Sequence, residues 1–181
     1  GLGMRLDETI SFPKQITLGA VQDLRLLEEV GYAIGMQCQR LGIHMNFSPV
    51  ADINTNPDNP VINYRAFGEN AQEVADRAVA FHRGLKRARI MGSAKHFPGH
   101  GDSDADSHYS LPVLTHSENR LRTSEFIPFR RLIADSIASV MVGHLYVPAL
   151  EAAPNTPATV SRRIVTDLLR NEWQFNRLVI T

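Results

Sequence analysis

Residues 90–108 of this chain read Ile-Met-Gly-Ser-Ala-Lys-His-Phe-Pro-Gly-His-Gly-Asp-Ser-Asp-Ala-Asp-Ser-His. The first five residues are apolar or small and predict a short buried strand. The stretch from Lys95 to His108 holds three His, three Asp and one Lys around Pro98 and two glycines, and such residues favour a loop. The polar cluster therefore follows directly on a buried strand, which is the usual place for catalytic groups in α/β folds.

The sequence on either side alternates helical and strand patterns. Helical periodicity and capping residues predict helices over 23–41, 70–89, 115–134 and 161–169. Apolar or alternating runs predict strands over 43–48, 90–95, 139–142 and 177–181. Asp23, Asn70, Thr115 and Ser161 are the expected N-caps, and Pro128 is expected to restart the third helix because proline is tolerated only in a first turn. The alternation predicts a parallel sheet covered by helices.

The predicted connections are unequal in length. Each loop after a strand has roughly 17 to 21 residues, whereas each helix-to-strand connection has only a few, and long structureless loops are usually functional. In a (β/α) barrel all strand-to-helix loops lie on the C-terminal face, where the active site is built. The expected fold class is α/β, a (β/α) TIM-type barrel present as an incomplete segment. A doubly wound sheet is the alternative, although no glycine-rich phosphate loop follows any predicted strand.

Composition and charge exclude some classes of partner. Lys and Arg together number 19, as do Asp and Glu, so the absence of net charge argues against a nucleic-acid partner and a polybasic membrane patch. No apolar run approaches the length of a transmembrane helix. The single cysteine, Cys38, cannot form an internal disulfide, so the compartment stays open between cytoplasm and export.

The ends of the sequence predict a segment of a longer protein. Gly1 is not an initiator methionine, and Thr181 falls inside a predicted strand. We expect residues 1–181 to be part of a single domain, truncated at both ends.

A zinc site is the first possible function of the polar loop. His96 and His100 are four residues apart, which is the spacing of a zinc-binding pair on a helix. Pro98 and Gly99 lie between them and break the helix which that geometry needs. We expect no metal and no cofactor, and a metal-dependent hydrolase stays as a minor alternative.

A calcium site is the second possible function of the polar loop. Asp102, Asp104 and Asp106 are spaced like the first ligands of an EF-hand loop. The sixth position of that loop is Ser107 rather than Gly, and the twelfth is Val113 rather than Glu. The calcium interpretation therefore fails.

A proton-transferring dyad is the third chemistry. Asp106 and His108 are two residues apart, so both side chains can point to one side of an extended loop. A carboxylate that accepts a hydrogen bond from one ring nitrogen leaves the other free for general acid/base work near neutral pH. The structural alternative, a surface histidine with an incidental aspartate nearby, is the commoner case for an isolated Asp-x-His.

The residues are not isolated, and together they resemble a known family. Lys95-His-Phe-Pro-Gly-His-Gly101, four residues and then Asp106-Ser-His108 closely resemble the signature of the bacterial β-N-acetylglucosaminidases of glycoside hydrolase family 3. Phe47-Ser-Pro-Val-Ala-Asp52 and Arg65-Ala-Phe-Gly-Glu69 resemble two further family segments, in the same order. The resemblance runs from about residue 10 to the C-terminus.

The resemblance implies a fold, a reaction and residue roles. The fold would be a (β/α) barrel, and the reaction would be retaining hydrolysis of a terminal β-linked N-acetylglucosamine through a covalent glycosyl-enzyme, in peptidoglycan turnover. His108 would be the acid/base and Asp106 its partner. Arg65, Lys95 and His96 would bind the sugar, a role suited to charged hydrogen-bond donors.

The resemblance also implies a partner and what lies outside the chain. The expected substrate is a saccharide or muropeptide that contains N-acetylglucosamine, and the parent protein could carry a further C-terminal domain. The family nucleophile, an Asp, is expected directly after Thr181, and a further acidic sugar-binding residue is expected before Gly1. Residues 1–181 alone are therefore expected to be inactive, because a retaining glycosidase needs both a nucleophile and an acid/base.

Two other functions stay open at this point. One is a catalytically inactive carbohydrate-binding or scaffold domain, and the other is a β-glucosidase-type hydrolase of the same family. Transfer to phosphate rather than water also stays open.

The remaining polar and aromatic candidates are expected to be mainly structural. Asp52 is expected to hold its loop by a hydrogen bond, His100 to bond backbone in the turn at Gly99–Gly101, and Trp173 to lie in the core. For His144, lining the pocket and packing are equally expected. No supporting pattern accompanies His44, His82 and His116.

Overall fold

A four-stranded parallel sheet forms the centre of the molecule. The computed structural model describes residues 2–4, 6–103 and 111–181. All three strand pairings are parallel, and the strands are neighbours in the order of the sequence. The strands are β1 (Met45–Asn46), β2 (Met91–Phe97), β3 (Ser139–Val142) and β4 (Leu178–Ile180).

Helices precede and connect the strands. The α-helices are α1 (Gln15–Leu18), α2 (Leu24–Arg40), α3 (Ala71–Arg87), α4 (Glu118–Arg120) and α5 (Phe126–Ala134). A π-helical turn over Leu121–Glu125 joins α4 to α5, and a π-helix over Arg163–Glu172 precedes β4. Single 3₁₀ turns lie at Leu2–Met4, Asn63–Arg65 and Ala158–Val160.

The strand order identifies the fold class. A doubly wound sheet reverses its strand order at a switch point, and no reversal occurs among these four strands. Parallel strands in sequence order, each reached through a helix, form a segment of a (β/α) TIM-type barrel. The predicted fold class is confirmed, and the doubly wound alternative is wrong.

Three of the four predicted N-caps are confirmed. Asp23, Asn70 and Ser161 each accept a backbone N–H from the first turn of the helix that follows. The prediction for Thr115 is wrong, because the side chain of Ser117 caps α4 instead. Ser117 directly precedes the first helical residue, whereas Thr115 lies two residues too early for its hydroxyl to reach the first turn.

Two element boundaries differ from prediction in ways that matter for the site. β2 extends to Phe97, beyond the predicted end at Lys95, so His96 belongs to the strand and not to the loop. The strand lengthens because β3 pairs along it as far as the partners Phe97 and Val142. Pro128 lies in the first turn of α5, as expected, but the helical path is continuous from α4, because the wider π-helical turn precedes it.

The core lies between the sheet and its helices. Phe97, at the end of β2, is fully buried against Phe126 and Phe129 of α5, with ring centroids 6.0 and 5.4 Å away. Half-buried Trp173 packs edge-on against Phe97 at 5.3 Å, in agreement with its prediction as a residue that packs on the core at a helix end. This aromatic cluster holds the end of β2 in place and so fixes the residues that precede Phe97.

The strand-to-helix loops are long and start from one end of the sheet, as expected of this topology. In the described part of the chain, no helix has the length and apolar character needed to cross a membrane.

Candidate active site

The predicted polar residues meet where β1 and β2 end. Lys95 and His96 are in β2, and His100 follows in the loop after it. Asp52 and Arg65 come from the long loop after β1. Because β1 and β2 are parallel, their carboxyl ends share one edge of the sheet, and the two loops meet there.

Asp52 is the buried centre of this group. Its side chain accepts the backbone N–H groups of His96 at 3.1 Å and His100 at 2.9 Å. Its second oxygen lies 2.7 Å from Nδ1 of the His96 ring. The backbone brings these groups together, since the N–H of Ala51 donates to the carbonyl of Lys95 at 2.7 Å. The expected structural hydrogen bond is confirmed, and Asp52 also orients a ring that was predicted to bind substrate.

The carboxylate of Asp52 is held in its ionised form. Burial by itself would raise its pKa, but the interactions with His96, by charge and hydrogen bond, and with His100 outweigh burial and lower the pKa below its usual value. A buried carboxylate that accepts several N–H donors is expected to behave in this way.

Arg65 lies on the other side of the His96 ring. Its guanidinium donates to the carbonyl of Val61 at 3.1 Å, and a second nitrogen lies 3.4 Å from Nε2 of His96. Because a guanidinium can only donate, Nε2 must accept in this contact. In the neutral form of the ring the proton then resides on Nδ1 and points at Asp52, so the network assigns the tautomer of that form. Carboxylate, imidazole and guanidinium form one line of hydrogen bonds.

Lys95 adds a second cation beside Arg65. Burial, reinforced by the positive charge of Arg65 and opposed by Asp52, lowers the pKa of Lys95 to about 8. Both cations line an open cavity of about 450 Å³, and the half-exposed rings of Phe47 and Tyr64 line it as well. A cavity of this size, with a few convergent donors and apolar walls, suits a small polar ligand.

His100 and Asn59 hold the start of the loop after β2. Nδ1 of His100 lies 2.6 Å from the hydroxyl of Ser103, so the expectation that this ring bonds backbone is wrong. The ring is buried, and burial lowers the pKa of His100 in spite of the nearby Asp52 charge. A neutral imidazole in this turn can share one hydrogen bond with a hydroxyl at no cost in buried charge.

Asn59 was missed by sequence reasoning. Its side-chain NH₂ donates to the carbonyl of His100 at 2.8 Å, and its oxygen accepts from the backbone N–H groups of Val61 and Ile62. It therefore joins the turn that carries Arg65 to the loop that follows β2. The signal in the sequence was Asn56-Pro-Asp-Asn-Pro60, whose residues favour turns with side-chain-to-backbone hydrogen bonds.

The sequence also made predictions for two catalytic residues and for three other histidines. Asp106 and His108 lie outside the described residues, so their predicted roles stay predictions. His144 is exposed, and its Nδ1 lies 2.9 Å from the hydroxyl of Thr159. His44 is exposed and His82 is buried in α3, so neither joins the group around Asp52.

The described residues contain no group of three or more His, Cys, Asp or Glu side chains arranged to hold a metal ion. What the arrangement offers instead is two cationic donors that line a cavity, with an oriented imidazole in contact with one of them. Such donors can bind the hydroxyl or amide groups of a neutral ligand.

Comparisons with known proteins assign the whole chain to one family. The model of the glycosyl hydrolase family 3 N-terminal domain matches residues 1–181. The chain is 34% identical to "Beta-hexosaminidase A" of Pseudoalteromonas piscicida, over 97% of this chain and 31% of that protein. It is 32% identical to "Beta-N-acetylglucosaminidase/beta-glucosidase" of Cellulomonas fimi, over 100% of this chain and 34% of that protein.

A solved structure agrees with these relatives. The glycoside hydrolase family 3 β-N-acetylglucosaminidase from Paenibacillus sp. str. FPU-7 superposes with a TM-score of 0.93 at 40% identity, and the match covers 97% of this chain and 33% of that one. The chain thus spans about a third of the length of these relatives. Fold, signature residues and family model agree, and the chain belongs to glycosyl hydrolase family 3, as part of its N-terminal domain.

Proposed function

We propose that the protein containing this chain is a retaining β-N-acetylglucosaminidase that removes terminal β-linked N-acetylglucosamine, with muropeptides from peptidoglycan turnover as the natural substrates. The observation that carries the proposal is the line of Asp52, His96 and Arg65 beside Lys95, at the carboxyl ends of parallel strands in a family 3 fold. The relatives are a hexosaminidase and an acetylglucosaminidase by name, which supports the same substrate class.

In this proposal the described residues bind and orient the sugar. Lys95 and Arg65 donate charge-assisted hydrogen bonds to its hydroxyl or acetamido oxygens. Asp52 acts through His96: it fixes the ring, and Nε2 of the ring steadies the guanidinium of Arg65. A substrate held in this way places its glycosidic bond above the end of β2, where the loop with the proposed acid/base begins.

The chemistry follows the retaining scheme. A carboxylate nucleophile, expected from the family resemblance after Thr181, attacks the anomeric carbon while the His108 imidazolium gives a proton to the departing oxygen and becomes a neutral imidazole. The glycosyl-enzyme is then hydrolysed by a water from which that imidazole takes a proton, which restores the imidazolium. Asp106 would hold the ring in the tautomer that this cycle needs.

The test is a leaving-group comparison on the full-length protein. Wild type and His108→Ala are assayed with p-nitrophenyl N-acetyl-β-glucosaminide, whose leaving group needs little protonation, and with N,N′-diacetylchitobiose, whose leaving group needs it fully. We expect His108→Ala to lose about 10²- to 10⁴-fold in kcat on the second substrate, the range of general acid catalysis, and far less in the first step on the aryl glycoside.

A matched control and three contrary outcomes complete the test. His44→Ala replaces an exposed histidine away from the site and should retain wild-type kinetics. If wild type turns over neither substrate but binds N-acetylglucosamine, the chain belongs to a carbohydrate-binding protein and the enzyme proposal is wrong. If p-nitrophenyl β-glucoside is hydrolysed faster than the N-acetyl substrate, the activity is that of a β-glucosidase. A product that first appears as the α-anomer excludes retention.

A further inference from the structure

A charged cluster lies at the base of the loop that follows β2, outside the group around Asp52. Nε2 of His116 lies 2.9 Å from a carboxylate oxygen of Asp102 and 3.7 Å from one of Glu125. Arg120 contacts the same Glu125 carboxylate at 3.1 Å. We call Asp102, His116, Arg120 and Glu125 the loop-base cluster. The sequence predicted only a structural role for His116, and the failed calcium motif was the only use found for Asp102.

The cluster is partly shielded from water. Glu125 has only 5% of its side chain exposed, and His116 has 17%, so the Glu125 charge acts on its neighbours with little screening by water. The His116–Asp102 contact has the distance of an ion pair without the alignment of a hydrogen bond. The contact is an ion pair in the protonated form of His116, and it joins two chain segments.

Glu125 connects the cluster to the signature residues. It occupies the last position of the π-helical turn, and its buried stem lies directly against Gly99, where a Cβ would be 3.2 Å from Cβ of Glu125. Gly99 also has φ +128°, a conformation that L side chains rarely adopt. The cluster thus touches the same turn that places His100 on Asp52.

The sequence positions of the two paired residues suggest what the cluster does. Asp102 and His116 bracket residues 103–115, the stretch that contains Asp106 and His108. Both flanks are fixed by further hydrogen bonds: the carbonyl of Ser103 accepts from the Asn56 side chain, and Leu114 donates to the carbonyl of Tyr146. In general, a contact that closes a loop lowers the conformational entropy of the chain within it.

We propose that the loop-base cluster is a positioning device: the Asp102–His116 contact, backed by Glu125, sets the separation of the two loop ends and so the placement of the acid/base between them. The proposal rests on the proposed function, because it needs His108 to be the proton donor. It makes His116 and Asp102 positioning residues that touch neither substrate nor the reacting atoms. General acid catalysis needs hydrogen-bond reach between donor and leaving oxygen, so a misplaced donor harms poor leaving groups most.

The experiment compares Asp102→Asn, His116→Gln and the double variant in the full-length protein, with the same two substrates. Each single variant should lose about tenfold in kcat on N,N′-diacetylchitobiose and clearly less on the aryl glycoside, since a small displacement of a catalytic group is costly. The double variant should be no worse than either single one, because both remove the same contact. Glu125→Gln, which retains the side-chain shape, should give a weaker loss of the same kind.

Controls separate this proposal from a purely structural role and from the proposed function. His82→Gln changes a buried histidine in α3, outside the site, and should leave the ratio of the two substrates unchanged. Equal losses on both substrates, additive losses in the double variant, or no loss at all would overturn the positioning role. If His108→Ala itself shows no leaving-group dependence, the proposed function fails instead, and the two failures are told apart. If Asp102→Asn does not fold, His116→Gln and His116→Asn decide the outcome, through the ratio of their kcat losses on the two substrates.

Discussion

Lys95 shows how one residue combines binding with pH dependence. It lies in β2 next to His96, partly buried, and the positive Arg65 is close by. Burial, and after it the Arg65 charge, bring the pKa of Lys95 down from 10.5 to about 8. Because the folded-state pKa is below that of the unfolded chain, the protonated form opposes folding below pH 8, and stability is regained as pH rises from 8 towards 10.5. The site thus retains a destabilising charge at neutral pH, which suggests that the charge serves binding.

Sugar binding should therefore weaken as Lys95 loses its proton. In the full-length protein we expect KM for the aryl N-acetylglucosaminide to rise severalfold with a midpoint near pH 8. Lys95→Arg retains the charge at any accessible pH and should move this rise above pH 9, while Lys95→Met should raise KM at every pH by about tenfold or more, the worth of a charged hydrogen bond. Identical pH profiles for wild type and Lys95→Arg would show that another group titrates.

At the scale of elements, the site depends on two loops that touch backbone to backbone. A Cβ on Gly101 would lie 1.8 Å from the carbonyl oxygen of Ile53, which follows Asp52 in the loop after β1. The φ of Gly101 is not positive, so alanine is permitted by the local backbone and excluded only by the neighbouring loop. Asn59 joins the same two loops by hydrogen bonds. The close approach positions the N–H of His100 on Asp52.

Gly101→Ala should consequently damage activity more than its local conformation suggests. We expect a loss of about 1–3 kcal/mol in the free energy of unfolding, as for overpacked sites, and a fall in kcat/KM of at least about tenfold. Gly42→Ala is the control: a Cβ there meets nothing within 4 Å, but φ is +70°, so it should cost about 1–2 kcal/mol of stability and leave kcat/KM unchanged. Denaturant unfolding and steady-state kinetics on both variants give the comparison. Unchanged kinetics in Gly101→Ala would mean that the loops adjust without moving the site.

For the whole molecule, buried ionisable groups set the response to acid. Burial is the main cause that lowers the pKa of His82 and of His100, so each stabilises the fold while neutral and opposes it once protonated. Their contribution is lost as pH falls below 6.5, because the unfolded chain takes up these protons more readily. The lowered pKa of Asp52 means that its carboxylate stabilises the fold above pH 3.8, and this stabilisation is lost as pH falls below that value. All three groups therefore weaken the fold in the same direction.

His82 permits a test of this response without touching the site. Neither of its ring nitrogens has a hydrogen-bond partner among the described residues, and the nearest carboxylate, Asp135, is 3.9 Å away. The unfolding temperature of wild type should fall as pH decreases from 7 to 5, and His82→Gln should show a shallower fall with normal kinetics at pH 7. Thermal scans at fixed ionic strength measure both slopes. A steeper slope in His82→Gln would mean that the protonated imidazole stabilises the fold.

The sequence by itself determined the elements and the family. Helical and strand periodicities are local properties of the chain, and they predicted all four strands, with β3 (Ser139–Val142) at its observed bounds. Asp23 and Asn70 were recognisable as caps because a cap acts within its own first turn. The signature from Lys95 to His108 identified the family because its residues are contiguous.

Only the tertiary structure decided how the site residues act on one another. Asp52 and His96 are 44 residues apart, and Arg65 and His96 are 31 apart, so no local pattern could pair them. Their contacts exist because parallel strands bring the loops after β1 and β2 to one edge of the sheet. The contact of His116 with Asp102 joins the two ends of one loop, and it too depends on distances that only the folded chain sets.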